Sequence, residues 1–174
     1  MTSTLVLYAL YALVGLFIVS GFVALFSGPG GKGTPFVPTF RKRVAAMVRL
    51  SKASQSERMV DLGSGDGRIV IAFARAGIEA HGYEINPVLV WYSRALIYAM
   101  GLQGRAHVHF KNFWAEDLSR FDVVAVFGLR PMMGALEAKL VRELRPGARI
   151  VSNNLQFPTR TFTQKEEGVY MYLI

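Results

Sequence analysis

Between Asp61 and Gly67 the chain reads Asp-Leu-Gly-Ser-Gly-Asp-Gly, directly after a short apolar run, Met59 to Leu62. A further carboxylate, Glu84, closes the next apolar run, seventeen residues past Gly67. Glycines in such a turn let the backbone pass close to a ligand at the carboxyl edge of a strand, where open α/β sheets bind their ligands. A carboxylate at the end of the second strand can accept hydrogen bonds from both hydroxyls of a ribose. The closing Gly-x-x-Gly spacing that admits a pyrophosphate is missing. A ligand with a ribose and no phosphate is therefore expected. S-adenosylmethionine (SAM), which joins a ribose to an amino-acid part, meets both conditions.

These residues need a scaffold, and the hydropathy pattern supplies one. Strands are expected at Met59–Leu62, Glu79–Glu84, Ala106–Phe110, Phe121–Phe127 and Ala148–Val151. Helices are expected at Arg68–Ala76 before Gly77, at Pro87–Met100 with proline at its start and Gly101 at its end, and at Met133–Leu144 before Pro146-Gly147. Alternation of this kind implies a parallel sheet covered by helices through right-handed crossovers. After Val151 only a terminal hairpin fits, turning near Glu166-Glu167-Gly168. Upstream, Val44, Met47, Val48 and Ser51 fall on one face of an amphipathic helix, expected to pack on the sheet. The fold class is thus α/β, a Rossmann-like sheet with helices on both faces, preceded by one transmembrane helix.

The motifs carry a resemblance. Asp61–Arg68 (DLGSGDGR) followed by Gly82–Asn86 (GYEIN) resembles the first motifs of class I SAM-dependent methyltransferases. PFVPT (Pro35 to Thr39), DLGSGDGRIVIA (Asp61 to Ala72), DLSRFDVVAVFG (Asp117 to Gly128), the Met132 to Leu144 stretch and PGARIVS (Pro146 to Ser152) are similar to a family of membrane-associated protein lysine methyltransferases. Its members include enzymes acting on the ATP synthase c-subunit and the adenine nucleotide translocase, and archaeal relatives. The resemblance covers about residues 35 to 158. It implies that Asp61, Gly63, Gly65 and Gly67, with Ser64 on the same turn, line the methionine and sulfonium part of SAM. Glu84 is then the ribose ligand, Ile85 packs on adenine, Asn112 and Phe113 meet the adenine edge, and Thr39 closes over the cofactor. Asn112 stands where the family usually has an acid, and its amide can still pair with adenine. The segment Gln156-Phe157-Pro158-Thr159-Arg160 departs from the family's ending, which bears on the acceptor.

The amino terminus is of another kind. Leu5 to Phe26 is uncharged, and its 22 residues, as a helix, reach about 33 Å, enough to cross a hydrocarbon core. No basic side chain precedes it, so a retained anchor is expected rather than a cleaved signal peptide. Residues 1–27 are read as the anchor, 28–38 as a Gly-Pro-rich linker and 39–174 as the methyltransferase domain. Seven basic residues between Lys32 and Arg58 face a single acid, Glu57. By the positive-inside rule the domain is expected in the cytoplasm, against a lipid bilayer.

Other chemistries are set aside on composition. The chain has no cysteine and three scattered histidines, so no metal site is expected. The net charge of +8 comes with no nucleic-acid motif, and no nucleic-acid partner is expected. Phe127-Gly128-Leu129-Arg130-Pro131 stands where an adenine N6 methyltransferase would carry its Asn/Asp-Pro-Pro-aromatic signature. Asp66 and Arg68 either cap and pair at the start of a helix or touch the cofactor. Trp91 and Tyr92 are expected to pack rather than to form a substrate platform, and Met132-Met133 to pack rather than to line an acceptor channel. No side chain is identifiable as a catalytic base. The expected partner is a lysine-bearing protein at the membrane. A lipid or other apolar small molecule as acceptor, or a SAM-binding scaffold without transfer activity, are the alternatives.

Overall fold

The computed structural model describes residue 8, residues 10–16, residues 38–128 and residues 130–174. The chain divides into two compact units, Met1–Phe36 and Val37–Ile174, and the second carries the α/β fold. In the first, residues 10–16 are helical with exposed side chains. Most of the expected span from Leu5 to Phe26 lies outside the described residues. Among the described residues no helix is long and apolar enough to cross a membrane.

The second unit opens with α1 (Arg41–Ser51), followed by β1 (Arg58–Leu62), α2 (Arg68–Arg75), β2 (Glu79–Glu84), α3 (Pro87–Ala99) and β3 (Ala106–Phe110). β4 (Val123–Val126), α4 (Met133–Glu143), β5 (Arg149–Asn153), β6 (Gln164–Glu166) and β7 (Val169–Leu173) complete it. The seven strands lie in the order β3-β2-β1-β4-β5-β7-β6. β1 to β5 run parallel, while β7 returns antiparallel beside β5. The central strands β1 and β4 are buried on both faces because helices cover both, the burial pattern of a parallel sheet. The order reverses between β1 and β4, so the carboxyl ends of those strands open onto a crevice.

Local chemistry sets the boundaries. Asn86 caps α3, its side chain accepting from the amides of Val88 and Leu89, and Pro87 pre-sets the first turn. The hairpin between β6 and β7 turns on Glu167 (φ 50°) and Gly168 (φ 77°), two left-handed residues that match the strand twist. The fourth strand is shorter than expected. Phe121 leaves the ladder, its amide bonded to the Leu118 carbonyl, and buries its ring in the core beneath α4. β5 runs two residues beyond the expected Val151, since β7 pairs with it as far as Asn153.

Two apolar layers sandwich the sheet. α1, α2 and α3 contribute Met47, Val70, Phe73 and Ile97 to one, and α4 contributes Leu136 and Leu140 to the other. α1 packs on the sheet through Val44, Met47 and Ser51 of the expected face, with Ala46 and Leu50 buried beside them and Val48 half-buried. Met133 is also core. Trp91 and Tyr92 are not. The buried stripe of α3 is Leu89, Val90, Ser93 and Ile97, and helical geometry turns Trp91 and Tyr92 away from it.

Candidate functional site at the carboxyl edge

β1 ends in Asp61-Leu62, and the turn that follows holds Gly63, Gly65 and Gly67 at φ of 81°, 55° and 78°, the left-handed region that favours glycine. The turn is fastened to the end of β2. The amides of Gly63 and Ser64 donate to the Tyr83 carbonyl at 2.9 and 3.0 Å. The Gly65 amide donates to Oε2 of Glu84 at 2.9 Å. The other oxygen, Oε1, accepts from the amides of Ile85 and Asn86, both at 2.8 Å. Glu84 therefore holds the loop that follows β1 to the loop that follows β2.

The three glycines have different reasons to be glycine. A Cβ on Gly67 would lie 2.7 Å from Cβ of Ser93 on α3, so its absence is a packing requirement. A Cβ on Gly63 would meet nothing within 4 Å and would project into the open space above the strand. Gly82 on β2 lacks a side chain because Ser64 sits there, its Oγ 2.6 Å from where that Cβ would stand. Ser64 Oγ is buried with no hydrogen-bond partner among the described residues.

Electrostatics narrows the ligand. Asp61 is 2% exposed. Burial, followed by the neighbouring carboxylates of Glu84 and Asp66, pushes its pKa up to about 8. Of the three acids, Asp66 has a cation, with Nε of Arg68 2.9 Å from its Oδ1. The turn therefore presents two acidic groups, Asp61 and Glu84, with no cationic side chain against them among the described residues. Such a site repels a pyrophosphate and favours a positively charged ligand.

A second strap closes the same edge. Arg68 donates to the Thr39 carbonyl at 2.8 Å, while Asn153 Nδ2 donates to Thr39 Oγ1 at 3.0 Å and Asn153 Oδ1 accepts from Arg43 at 3.3 Å. Asn153, 1% exposed at the end of β5, was not among the expected residues. A polar residue closing the apolar run Arg149–Asn153 was the available signal. The Asp66–Arg68 pair thus also fastens Thr39. On the far side of β2, the Lys111 amide donates to the Glu84 carbonyl at 3.0 Å, which brings Asn112 and Phe113 to the same edge. Asn112 is exposed, and its Oδ1 accepts from the Trp114 amide at 3.1 Å, leaving its NH2 to offer. Phe113 is half-buried with its ring 4.9 Å from that of Trp114, and Ile85 is half-buried beside Glu84. All ten expected cofactor residues therefore lie along one edge. The departing segment is anchored too: Thr159 donates through its amide and hydroxyl to buried Glu137, and Phe157 packs on Tyr172. Among the described residues no group of three His, Asp or Glu side chains is arranged to hold a metal ion.

A model of the ANTKMT methyltransferase domain matches residues 61–164, more than half of the chain. The chain belongs to the ANTKMT methyltransferase family. It is 43% identical over 127 residues to the ATP synthase c-subunit lysine N-methyltransferase of Mus musculus, a match covering 73% of this chain and 51% of that protein. It is 38% identical to a protein-lysine N-methyltransferase of Saccharolobus islandicus over 80% of this chain and 93% of that one. Among solved structures, an RNA methyltransferase from Salinibacter ruber in complex with S-adenosyl-L-homocysteine superposes with a TM-score of 0.75 at 31% identity, over 79% of this chain and 94% of that one. The chain spans about half the length of the mouse relative. Its sheet is that of the SAM-dependent methyltransferases, and the glycine turn with Glu84 lies within the matched region.

Proposed function

We propose that this ANTKMT-family domain transfers a methyl group from SAM to a lysine amine of a membrane or membrane-proximal protein. The observation that carries the reading is similarity to proteins named for lysine N-methylation, one of them matched over 93% of its length. The carboxyl edge fits the cofactor. Asp61 would face its ammonium group and Glu84 its ribose hydroxyls, and Gly63 and Gly65 would leave room for the chain between them. Ile85 and Phe113 would flank adenine, Asn112 would offer its NH2 to a ring nitrogen, and Thr39 would lie over the cofactor. When bound, SAM supplies a methyl group already activated by its sulfonium.

The protein then has to orient a neutral amine in line with that methyl and to exclude water. A new N–C bond forms as the C–S bond breaks, and the amine proton passes to solvent. No committed base is required once the lysine is neutral. The uncharged stretch from Leu5 to Phe26 and the basic residues after it support a single membrane span with the domain on the cytoplasmic side. A tether of this kind raises the effective concentration of bilayer-bound acceptors.

One observation favours a second reading. The Salinibacter structure is described as an RNA methyltransferase, and this chain carries a net charge of +8. Incubating membranes, lipid extract and total RNA with labelled SAM and the full chain separates the cases. Label on lysine in membrane protein supports the proposal. Label confined to RNA or to extracted lipid replaces it.

A further inference from the structure

The side of the sheet covered by α1, α2 and α3 differs in kind from the side covered by α4. α4 carries two acidic and two basic residues, Glu137, Glu143, Lys139 and Arg142. The other three helices carry four basic residues on α1, two on α2, one on α3, and no acidic residue at all. Arg49 and Arg68 are matched by Glu166 and Asp66 from outside those helices. Arg41, Lys42, Arg75 and Arg94 are exposed and have no acidic partner among the described residues.

The outer face of α3 is also apolar. Trp91 is 72% exposed, Tyr98 73%, Tyr92 46% and Met100, just past its end, 41%. Arg94 is the only charge in Pro87–Ala99. A helix apolar on both its faces is ordinarily covered on both, and the sheet covers one. Beside this face a cleft of about 740 Å³ runs between the three helices, lined by Val44, Ile71 and Leu96, by Arg41 and Arg75, and by the paired Asp66 and Arg68. Thr39, where the chain enters the domain, lines the same cleft.

We propose that this face rests in the surface of an anionic lipid bilayer. Tryptophan and tyrosine rings are at home in the headgroup region, where the ring is buried and its polar edge stays wet. Arginines reach headgroup phosphates from the same depth. The three helices carry no carboxylate of their own, and the two acids beside them, Asp66 and Glu166, are each paired with an arginine, so the headgroups meet little repulsion and each unpaired basic residue adds attraction. Fourteen residues separate Phe26 from Arg41, so an anchored chain holds this face within about 50 Å of the bilayer. The proposal rests on the membrane reading above and adds which surface of the domain touches lipid.

The test uses the full chain with Trp114→Phe, which leaves Trp91 as its only tryptophan. It is reconstituted into vesicles of phosphatidylcholine and phosphatidylglycerol, with and without bromine placed on the acyl chains near the headgroup. The expected result is quenching of Trp91 by the brominated lipid, together with protection from acrylamide in the water. Both weaken in phosphatidylcholine alone. Trp91 open to acrylamide and untouched by bromine overturns the proposal. Protection that is the same without vesicles also overturns it, and assigns the face to residues 1–36 or to a second copy. Quenching equally strong in phosphatidylcholine alone overturns the anionic assignment. Flotation of the same samples reports separately on residues 5–26. A chain that floats with Trp91 bare keeps the anchor and loses the face. A chain that no longer floats in high salt, yet is quenched in low salt, keeps the face and loses the anchor.

Discussion

Gly63 and Gly67 sit four residues apart in one turn with the same backbone handedness, yet they answer to different constraints. An alanine at either position costs about 1 kcal/mol or more in the left-handed region. At Gly67 the new methyl also meets Ser93 at 2.7 Å, and forcing it in adds roughly 1–3 kcal/mol. Gly67→Ala is therefore expected to lower unfolding stability by about 2–4 kcal/mol in urea titration. Gly63→Ala is expected to lose only about 1–2 kcal/mol of stability, because open space receives its methyl. If that space is the cofactor's, the same variant loses SAM affinity by far more than its stability changes. Equal losses at the two positions, or intact SAM binding in a folded Gly63→Ala variant, remove Gly63 from the site.

Asp61 makes a pH-dependent prediction. Its folded pKa, about 8, lies above that of an unfolded aspartate near 3.9 because burial and two neighbouring carboxylates oppose its charge. Stability from the protonated form is therefore complete at low pH and is lost as pH rises towards about 8. The unliganded protein should melt at falling temperature as pH rises from about 4 to about 8. A cationic ligand offsets the cost of the charge, so SAM affinity should rise over the same interval with release of a proton. Calorimetry in buffers of different ionisation heat counts that proton. Asp61→Asn should flatten both profiles, and a wild-type affinity independent of pH dismisses the pairing.

At the scale of elements, the loops after β1 and β2 behave as one unit because Glu84 joins them. Its two oxygens accept three backbone amides, from Gly65, Ile85 and Asn86. Glu84→Ala leaves those donors without a partner in a buried place, at a cost of roughly 1–3 kcal/mol in stability. A glutamate serving a ribose alone would leave stability untouched when removed, so denaturation of the variant without ligand separates the two roles. SAM affinity in the same variant should fall by about tenfold or more, as a charge-assisted hydrogen bond is lost. The strap of Arg68, Thr39, Asn153 and Arg43 is the second element-level device. It fastens the entry to α1 to the end of β5, residues separated by more than one hundred positions.

For the whole molecule, the membrane-bound reading predicts a mature chain that keeps residues 5 to 26 and exposes its domain to protease on the cytoplasmic side. An intact mass that begins near residue 27, or protection of the domain in inverted membrane vesicles, contradicts it. The reading rests on the uncharged stretch and the basic residues after it, four of which, Arg41, Lys42, Arg43 and Arg49, lie on α1.

Much of this was legible in sequence order because the relevant signals are local. Hydrophobic runs of strand length, a glycine turn after the first of them, proline and glycine at helix ends, and Glu84 closing the second strand are properties of a few adjacent residues. They were enough for the α/β fold, for the edge that holds the candidate site and for the resemblance to a methyltransferase family. What needed tertiary structure was every property that depends on distant neighbours. Trp91 and Tyr92, aromatic residues on a helix, suggest packing, but which side of α3 meets the sheet is decided by Leu89, Val90, Ser93 and Ile97 together. Ser64 and Gly82 are eighteen positions apart, and only the pairing of β1 with β2 sets one against the other. Asn153 gains its role from the approach of Thr39 and Arg43, and the raised pKa of Asp61 comes from burial and from Glu84 across the strand. Periodicity along a chain determines which residues share an element. Contact across elements determines what those residues meet, and that is decided only when the sheet closes.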